Sequence, residues 1–369
     1  MNSINTYVRT LDIINRYNFT IRKKYGQNFL TDQNILDRII DAAQLTKEDA
    51  VLEIGPGIGT LTGELAGRAG KVAAVEIDTE LIPILKETLD GVENVDIINK
   101  DILKLDLRSY IADNFGDRPV KVVANLPYYI TTPIIMKLME GGYPFKSITV
   151  MVQKEVAERM CAGPGSKEYG ALSLAVRYYS NPVIITQVPP ECFIPRPKVS
   201  SAVIRLDILK DRGVKVRDEE LLLKLIRASF NQRRKTLVNA IANFNGLSFG
   251  KEEIREAIEK TGLRADIRGE ALTLEEFAAL ADRLSAGCQN IKGDTVPSEE
   301  ENGMEKKLSE LVKKLYKKEV SEATNAELYH ALLSLTKELS REKKVIDGDR
   351  KVYYISAEFL IGKLKKIKL

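Results

Sequence analysis

Two apolar rhythms alternate along the first half of the chain. Ile35, Leu36, Ile39, Ile40 and Ala43 recur at helical spacing, and Asp32 stands three residues ahead as the expected N-cap. A short apolar stretch, Ala50–Ile54, broken only by Glu53, follows and runs into Gly55-Pro56-Gly57-Ile58-Gly59. Residues 61–69 read as a helix. Strand-like stretches then return at Lys71–Glu76, Val95–Asn99, Val120–Asn125 and residues 147–152. Helical patterns at 79–89, at 133–139 and after the fifth stretch separate them. Strands covered on both faces are apolar throughout, and their alternation with helices predicts a doubly wound parallel sheet in an α/β fold.

Beyond residue 180 the rhythm changes. Residues 183–188 and 201–209 read as two strands joined by a proline-rich segment without a helix, which predicts an antiparallel edge. Only helical patterns remain from Asp218 to Ser285. Residues 286–303 are poor in apolar side chains and read as a linker. Beyond it, 304–342 is amphipathic and helical, and 351–356 is strand-like. The expected organisation is a sheet domain over 1–209, a helical domain over 210–285, the linker, and an appended tail over 304–369.

Composition narrows the chemistry. The 369 residues contain one histidine, His330, and three scattered cysteines, Cys161, Cys192 and Cys288. Histidine general-base catalysis, Ser-His-Asp hydrolysis and a His-ligated metal centre are therefore not expected before the tail. No disulfide framework, signal peptide or membrane span is expected either, which fits a cytoplasmic protein. The net charge is only +4, yet residues 192–245 hold 12 basic and 5 acidic side chains. Arg233-Arg234-Lys235 is the sharpest cluster there. A local excess on a neutral body suggests a face for a polyanion, although a solvated helix face would look the same.

The glycine run sits where a strand turns into a helix, so its backbone can approach a ligand closely. Its spacing is G-x-G-x-G, not the dinucleotide pattern G-x-G-x-x-G. Glu53 stands two residues before the first glycine. Acids beside the turn oppose a pyrophosphate and suit a cation, which favours S-adenosylmethionine over a nicotinamide dinucleotide. Capping of the turn is the other reading of Glu53. Glu76 closes the second strand, 21 residues after Gly55, where an acid can accept ribose hydroxyls. Asp101, closing the third, could accept an adenine amine.

Asn125-Leu126-Pro127-Tyr128 ends the fourth strand, at the sheet edge where ligands bind. An Asn oxygen and a backbone carbonyl can accept from an exocyclic amine and turn its lone pair toward a methyl donor. Tyr128 can stack on the base. An ordinary strand-ending turn would also use Asn and Pro. The glycine loop and two strand-end acids, in order, favour the catalytic reading.

With these residues in place, 21–285 resembles the small-subunit rRNA adenine N6,N6-dimethyltransferases. Matching strings include Tyr25-Gly26-Gln27-Asn28-Phe29-Leu30, Glu53-Ile54-Gly55-Pro56-Gly57, Asn125-Leu126-Pro127-Tyr128, Phe193-Ile194-Pro195-Arg196-Pro197-Lys198 and Phe230-Asn231-Gln232-Arg233-Arg234-Lys235. The resemblance implies a Rossmann-like methyltransferase domain followed by a small helical domain. It implies four methyl transfers from S-adenosylmethionine to two adjacent adenosines near the 3′ end of 16S rRNA, within an immature small subunit, by a monomer. Asn28, Leu30, Gly55, Glu76, Asp101 and Asn125 would surround the cofactor. Phe193 would stack on the flipped base opposite Tyr128. Arg233, Arg234 and Lys235 would face rRNA phosphates. Two alternatives share the scaffold: the erythromycin-resistance methyltransferases of 23S rRNA, and non-catalytic nucleic-acid-binding relatives.

The tail departs from that family. Residues 352–363 resemble the start of glycogen phosphorylases, but far too little of such an enzyme is present to work as one. A non-functional appendage is expected.

Overall fold

The computed structural model describes residues 6–19, 22, 25–291 and 299–320, with 322–324, 327, 330, 331 and 334 beyond them. The strands are β1 (Phe29–Leu30), β2 (Ala50–Ile54), β3 (Lys71–Glu76), β4 (Val95–Asn99), β5 (Val120–Asn125), β6 (Phe145–Gln153), β7 (Ser180–Val188), β8 (Phe193–Ile194) and β9 (Ser201–Ile208). Seven of them form one sheet in the order β4-β3-β2-β5-β6-β9-β7. The five strands from β4 to β6 are parallel, and β9 runs antiparallel to both β6 and β7. The expected antiparallel edge is present, with β9 inserted inside it and β7 outermost.

Apolar burial explains the central strands. Every residue of β2 is buried, and Ala50, Val51, Leu52, Val122, Val123 and Ala124 are wholly shielded from water. Burial of each large apolar side chain contributes about 1.5–3 kcal/mol. The helices α1 (Thr6–Arg16), α2 (Gln33–Ala43), α3 (Thr60–Arg68), α4 (Leu81–Thr88), α5 (Leu107–Phe115), α6 (Thr131–Glu140), α7 (Lys154–Cys161) and α8 (Ala171–Tyr179) accompany the sheet. Asp32 caps α2 as expected, its carboxylate accepting from the Ile35 N–H at 3.1 Å.

Four helices follow the sheet: α9 (Glu219–Asn231), α10 (Leu237–Ala242), α11 (Lys251–Lys260) and α12 (Leu274–Ile291). Leu222, Leu225, Ile241, Ile258 and Phe277 share one continuous apolar core with Val122, Ile148 and Leu206 of the sheet.

The chain divides into two units, Met1–Gly287 and Cys288–Leu369. Helices occupy both ends of the stretch 286–303, and 292–298 lie outside the described residues. Helix α12 continues to Ile291, and α13 (Glu299–Tyr316) begins on a run of three glutamates, good helix formers that favour a helix N-terminus. In the second unit the Tyr316 hydroxyl lies 2.6 Å from His330 Nδ1. The strand-like segment 351–356 and the phosphorylase-like run lie outside the described residues.

Candidate active site

The carboxyl ends of β2, β3 and β5 open into one cleft of about 1040 Å³, its mouth included. Gly55 turns the chain away from β2 with φ +70°, and its N–H donates to the Val75 carbonyl at 3.0 Å. Gly57 follows at φ +61°, and a Cβ there would lie 3.1 Å from the Phe29 ring. Only glycine combines that left-handed backbone with that contact at no steric cost. The turn leads directly into α3.

Three acids line the cleft. Glu76, 5% exposed, accepts from the Asp78 N–H at 2.8 Å and the Gly57 N–H at 3.3 Å. Burial pushes its pKa up, while these backbone donors favour the carboxylate. Glu53 is 1% exposed, and its Oε2 has no hydrogen-bond partner among the described residues. Its pKa is pushed up to about 8, by burial first and by the charge of Glu76 second, with Thr62 opposing. Asp101 stands at the far side, half-buried, its Oδ1 accepting from the Leu103 N–H at 2.9 Å.

At the end of β5, Asn125 Nδ2 donates to the Asn28 carbonyl at 2.9 Å. A carbonyl can pair only with the amino end of the amide, so Oδ1 remains as the acceptor. The Pro127 carbonyl already accepts from the Ile130 N–H and the Thr131 hydroxyl. Of the two carbonyls in this turn, Leu126's is therefore the candidate second acceptor. The Tyr128 hydroxyl lies 2.5 Å from Ser201 Oγ, which ties the ring to β9.

Asn28, Leu30, Gly55, Glu76, Asp101, Asn125, Leu126, Pro127 and Tyr128 all line this one cleft. The structure does not bring Phe193 to it. Phe193 is 2% exposed and packs in the core cluster with Leu30, Leu36, Met151 and Val203. Its backbone pairs with Leu30, which lines the cleft, so the short strand that carries it braces the cleft wall. Arg233 likewise differs from expectation: it is half-buried, with Nε 2.7 Å from Glu270 Oε2, whereas Arg234 and Lys235 are exposed.

Gln27 and Tyr129 are among the cleft residues that the sequence did not single out. Gln27 lies on the wall, and Tyr129 stands at the mouth, 54% exposed, with its ring 3.2 Å from the Cβ position of Gly26. Adjacency to Tyr128 was the available signal for Tyr129.

An unpartnered buried carboxylate oxygen beside the glycine turn calls for a cationic donor, and two strand-end acids repel a phosphate. That combination fits a methionine ammonium and an adenosine. Fold and site together define an S-adenosylmethionine-dependent methyltransferase. The ribosomal RNA adenine dimethylase family model matches residues 18–285. A "Ribosomal RNA small subunit methyltransferase A" of Lachnoclostridium phytofermentans is 61% identical over 275 residues, covering 74% of this chain and 95% of that protein. The protein of the same name from Bacillus licheniformis is 52% identical, covering 76% and 97%. Among solved structures, a dimethyladenosine transferase from Plasmodium falciparum superposes with a TM-score of 0.58 at 28% identity, covering 68% of this chain and 95% of that one. The 23S rRNA methyltransferase ErmE gives 0.54 at 25%, covering 70% and 99%. The chain belongs to the ribosomal RNA adenine dimethylase family.

Proposed function

We propose that this enzyme methylates N6 of two adjacent adenosines in the 3′-terminal hairpin loop of 16S rRNA, acting as a cytoplasmic monomer on the immature small subunit. The observation that carries the reading is the Asn125 amide, oriented by Asn28 and sharing one cleft with Glu76 and Asp101. Gly55 and Glu53 would hold the methionine end of S-adenosylmethionine, Glu76 the ribose and Asp101 the adenine. When bound, the cofactor supplies an electrophilic methyl.

The chain's own work is at the nitrogen. An adenine N6 lone pair is delocalised into the ring and is a weak nucleophile. Asn125 Oδ1 and the Leu126 carbonyl accept hydrogen bonds from its N–H groups, two at the first transfer and one at the second, which favours a pyramidal nitrogen with the lone pair toward the methyl. Tyr128, fixed through Ser201, stacks on the base. The proton acquires acidity on methylation and leaves to water, so no histidine is needed. Arg234 and Lys235 would take phosphates. Arg233 would shape that region through Glu270.

Methyl transfer from labelled S-adenosylmethionine to immature small subunits and, separately, to 23S rRNA tests this. Dimethyladenosine on small subunits alone supports the reading. Label on 23S rRNA would replace it with the resistance-type activity, and RNA binding without label would replace it with a binding role.

A further inference from the structure

The Tyr25–Leu30 segment forms one wall of the cleft, yet only Phe29 and Leu30 of it belong to a strand. Something else must hold the rest. Asp78, two residues past Glu76, is 0% exposed and does not line the cleft. Its Oδ2 accepts from Gln27 Nε2 at 2.8 Å. Its Oδ1 accepts from the Glu80 N–H at 3.2 Å and lies 3.6 Å from the Arg22 guanidinium. Gln27 Oε1 in turn accepts from the Arg22 N–H at 2.8 Å, and Arg22 also pairs with Glu80. Both ends of the Gln27 amide are thus engaged, one by Asp78 and one by the Arg22 backbone.

We propose that Asp78 is a positioning residue for the cofactor: through Gln27 and Arg22 it fixes the Tyr25–Leu30 wall against the end of β3. One residue beyond Gln27, the Asn28 carbonyl orients the Asn125 amide, so the same latch sets the catalytic acceptor. Next along, the Phe29 ring rests on Gly57. A carboxylate that touches neither cofactor nor base therefore governs both.

The inference rests on the cleft being the cofactor site, and its test separates the two. Binding of S-adenosylhomocysteine is measured by calorimetry for the full-length protein and its variants, together with amide exchange over residues 25–30 and the melting temperature. Gln27→Glu sets carboxylate against carboxylate on a half-exposed segment and leaves the core intact. Gln27→Glu and Asp78→Asn are each expected to weaken binding about tenfold, the scale of one hydrogen bond to a charged group. Exchange over the wall rises in both. The double variant Gln27→Glu/Asp78→Asn reverses donor and acceptor across the same contact. The amide introduced at position 78 then donates to the carboxylate introduced at position 27, and its oxygen still accepts from the Glu80 N–H and faces Arg22. The double variant should recover most of the lost affinity, which a merely structural role of Asp78 would not produce. Single variants that bind as the wild type does, or a double variant as weak as the product of the singles, would overturn the latch. Glu76→Ala is the control: if it too binds normally, the cofactor-site reading fails instead.

Discussion

A buried carboxyl group with an unpartnered oxygen is unusual in a core, and Glu53 has one. Its pKa of about 8, against an ordinary 4.5, leaves it protonated at neutral pH. A cationic ligand favours the ionised form, so binding below about 8 should release a proton and binding above it none. Affinity for the cofactor should rise as pH approaches about 8 and then level off. Calorimetry in two buffers of different ionisation enthalpy would count the proton, and Glu53→Gln should abolish the release while weakening binding roughly 10–100-fold. Stability runs the opposite way. The free fold binds the proton more tightly than the unfolded chain does, so the free protein loses stability as pH rises from 4.5 toward about 8. Glu53→Gln should flatten that melting profile. Asn125 works by acceptance alone, and Asn125→Ala should lower the methylation rate by about 10²–10³-fold, the effect of removing one transition-state hydrogen-bond partner. RNA binding by that variant, measured separately, should persist.

At the scale of elements, the wall and the glycine turn depend on each other. Gly57→Ala meets both a left-handed backbone and the Phe29 ring. It should cost about 1–2 kcal/mol from the backbone alone, visible as a lower melting temperature, with a larger loss of cofactor affinity because the wall is displaced. Much of this architecture was legible beforehand, for a physical reason. β2, β3 and β5 are buried on both faces, so burial writes them into the sequence as apolar runs. Asp32 was legible because a cap is local chemistry. β1 and β8 were not, since two residues carry no periodicity and their pairing joins Leu30 to Phe193. Phe193 read as a stacking partner for the flipped base, and its burial beside Leu30 was not legible. An aromatic beside prolines does not reveal that its backbone pairs with a strand from the N-terminal end of the domain. Helix α1 was missed because its apolar face is short; Thr10 and Ile13 are its buried residues.

For the whole molecule, the basic stretch after the sheet divides into unlike parts. Arg234 and Lys235 are exposed, and reversing both charges should weaken RNA binding and reduce the salt slope by about 1.4–1.8. Arg233 is bound to Glu270 and reaches the Ser166 carbonyl at 3.3 Å, so it joins the helices to the sheet body. Arg233→Glu should lower the melting temperature, which the other two reversals leave unchanged. Filter binding across a salt series, paired with melting curves, distinguishes these effects. Sequence alone presented the three as one charge run, because adjacency along a chain says nothing about which side chains are already paired.

The pairing of Leu30 with Phe193 also imposes an order on synthesis. A nascent chain that has reached the Asn-Leu-Pro-Tyr run already carries the glycine turn, both strand-end acids and the catalytic amide. It still lacks the strand that braces the segment orienting that amide, and Ser201, which ties Tyr128, comes later still. The contacts that complete the site therefore form only after the last sheet strand has emerged. A chain released early holds nearly every residue of the site and can use none of them in register.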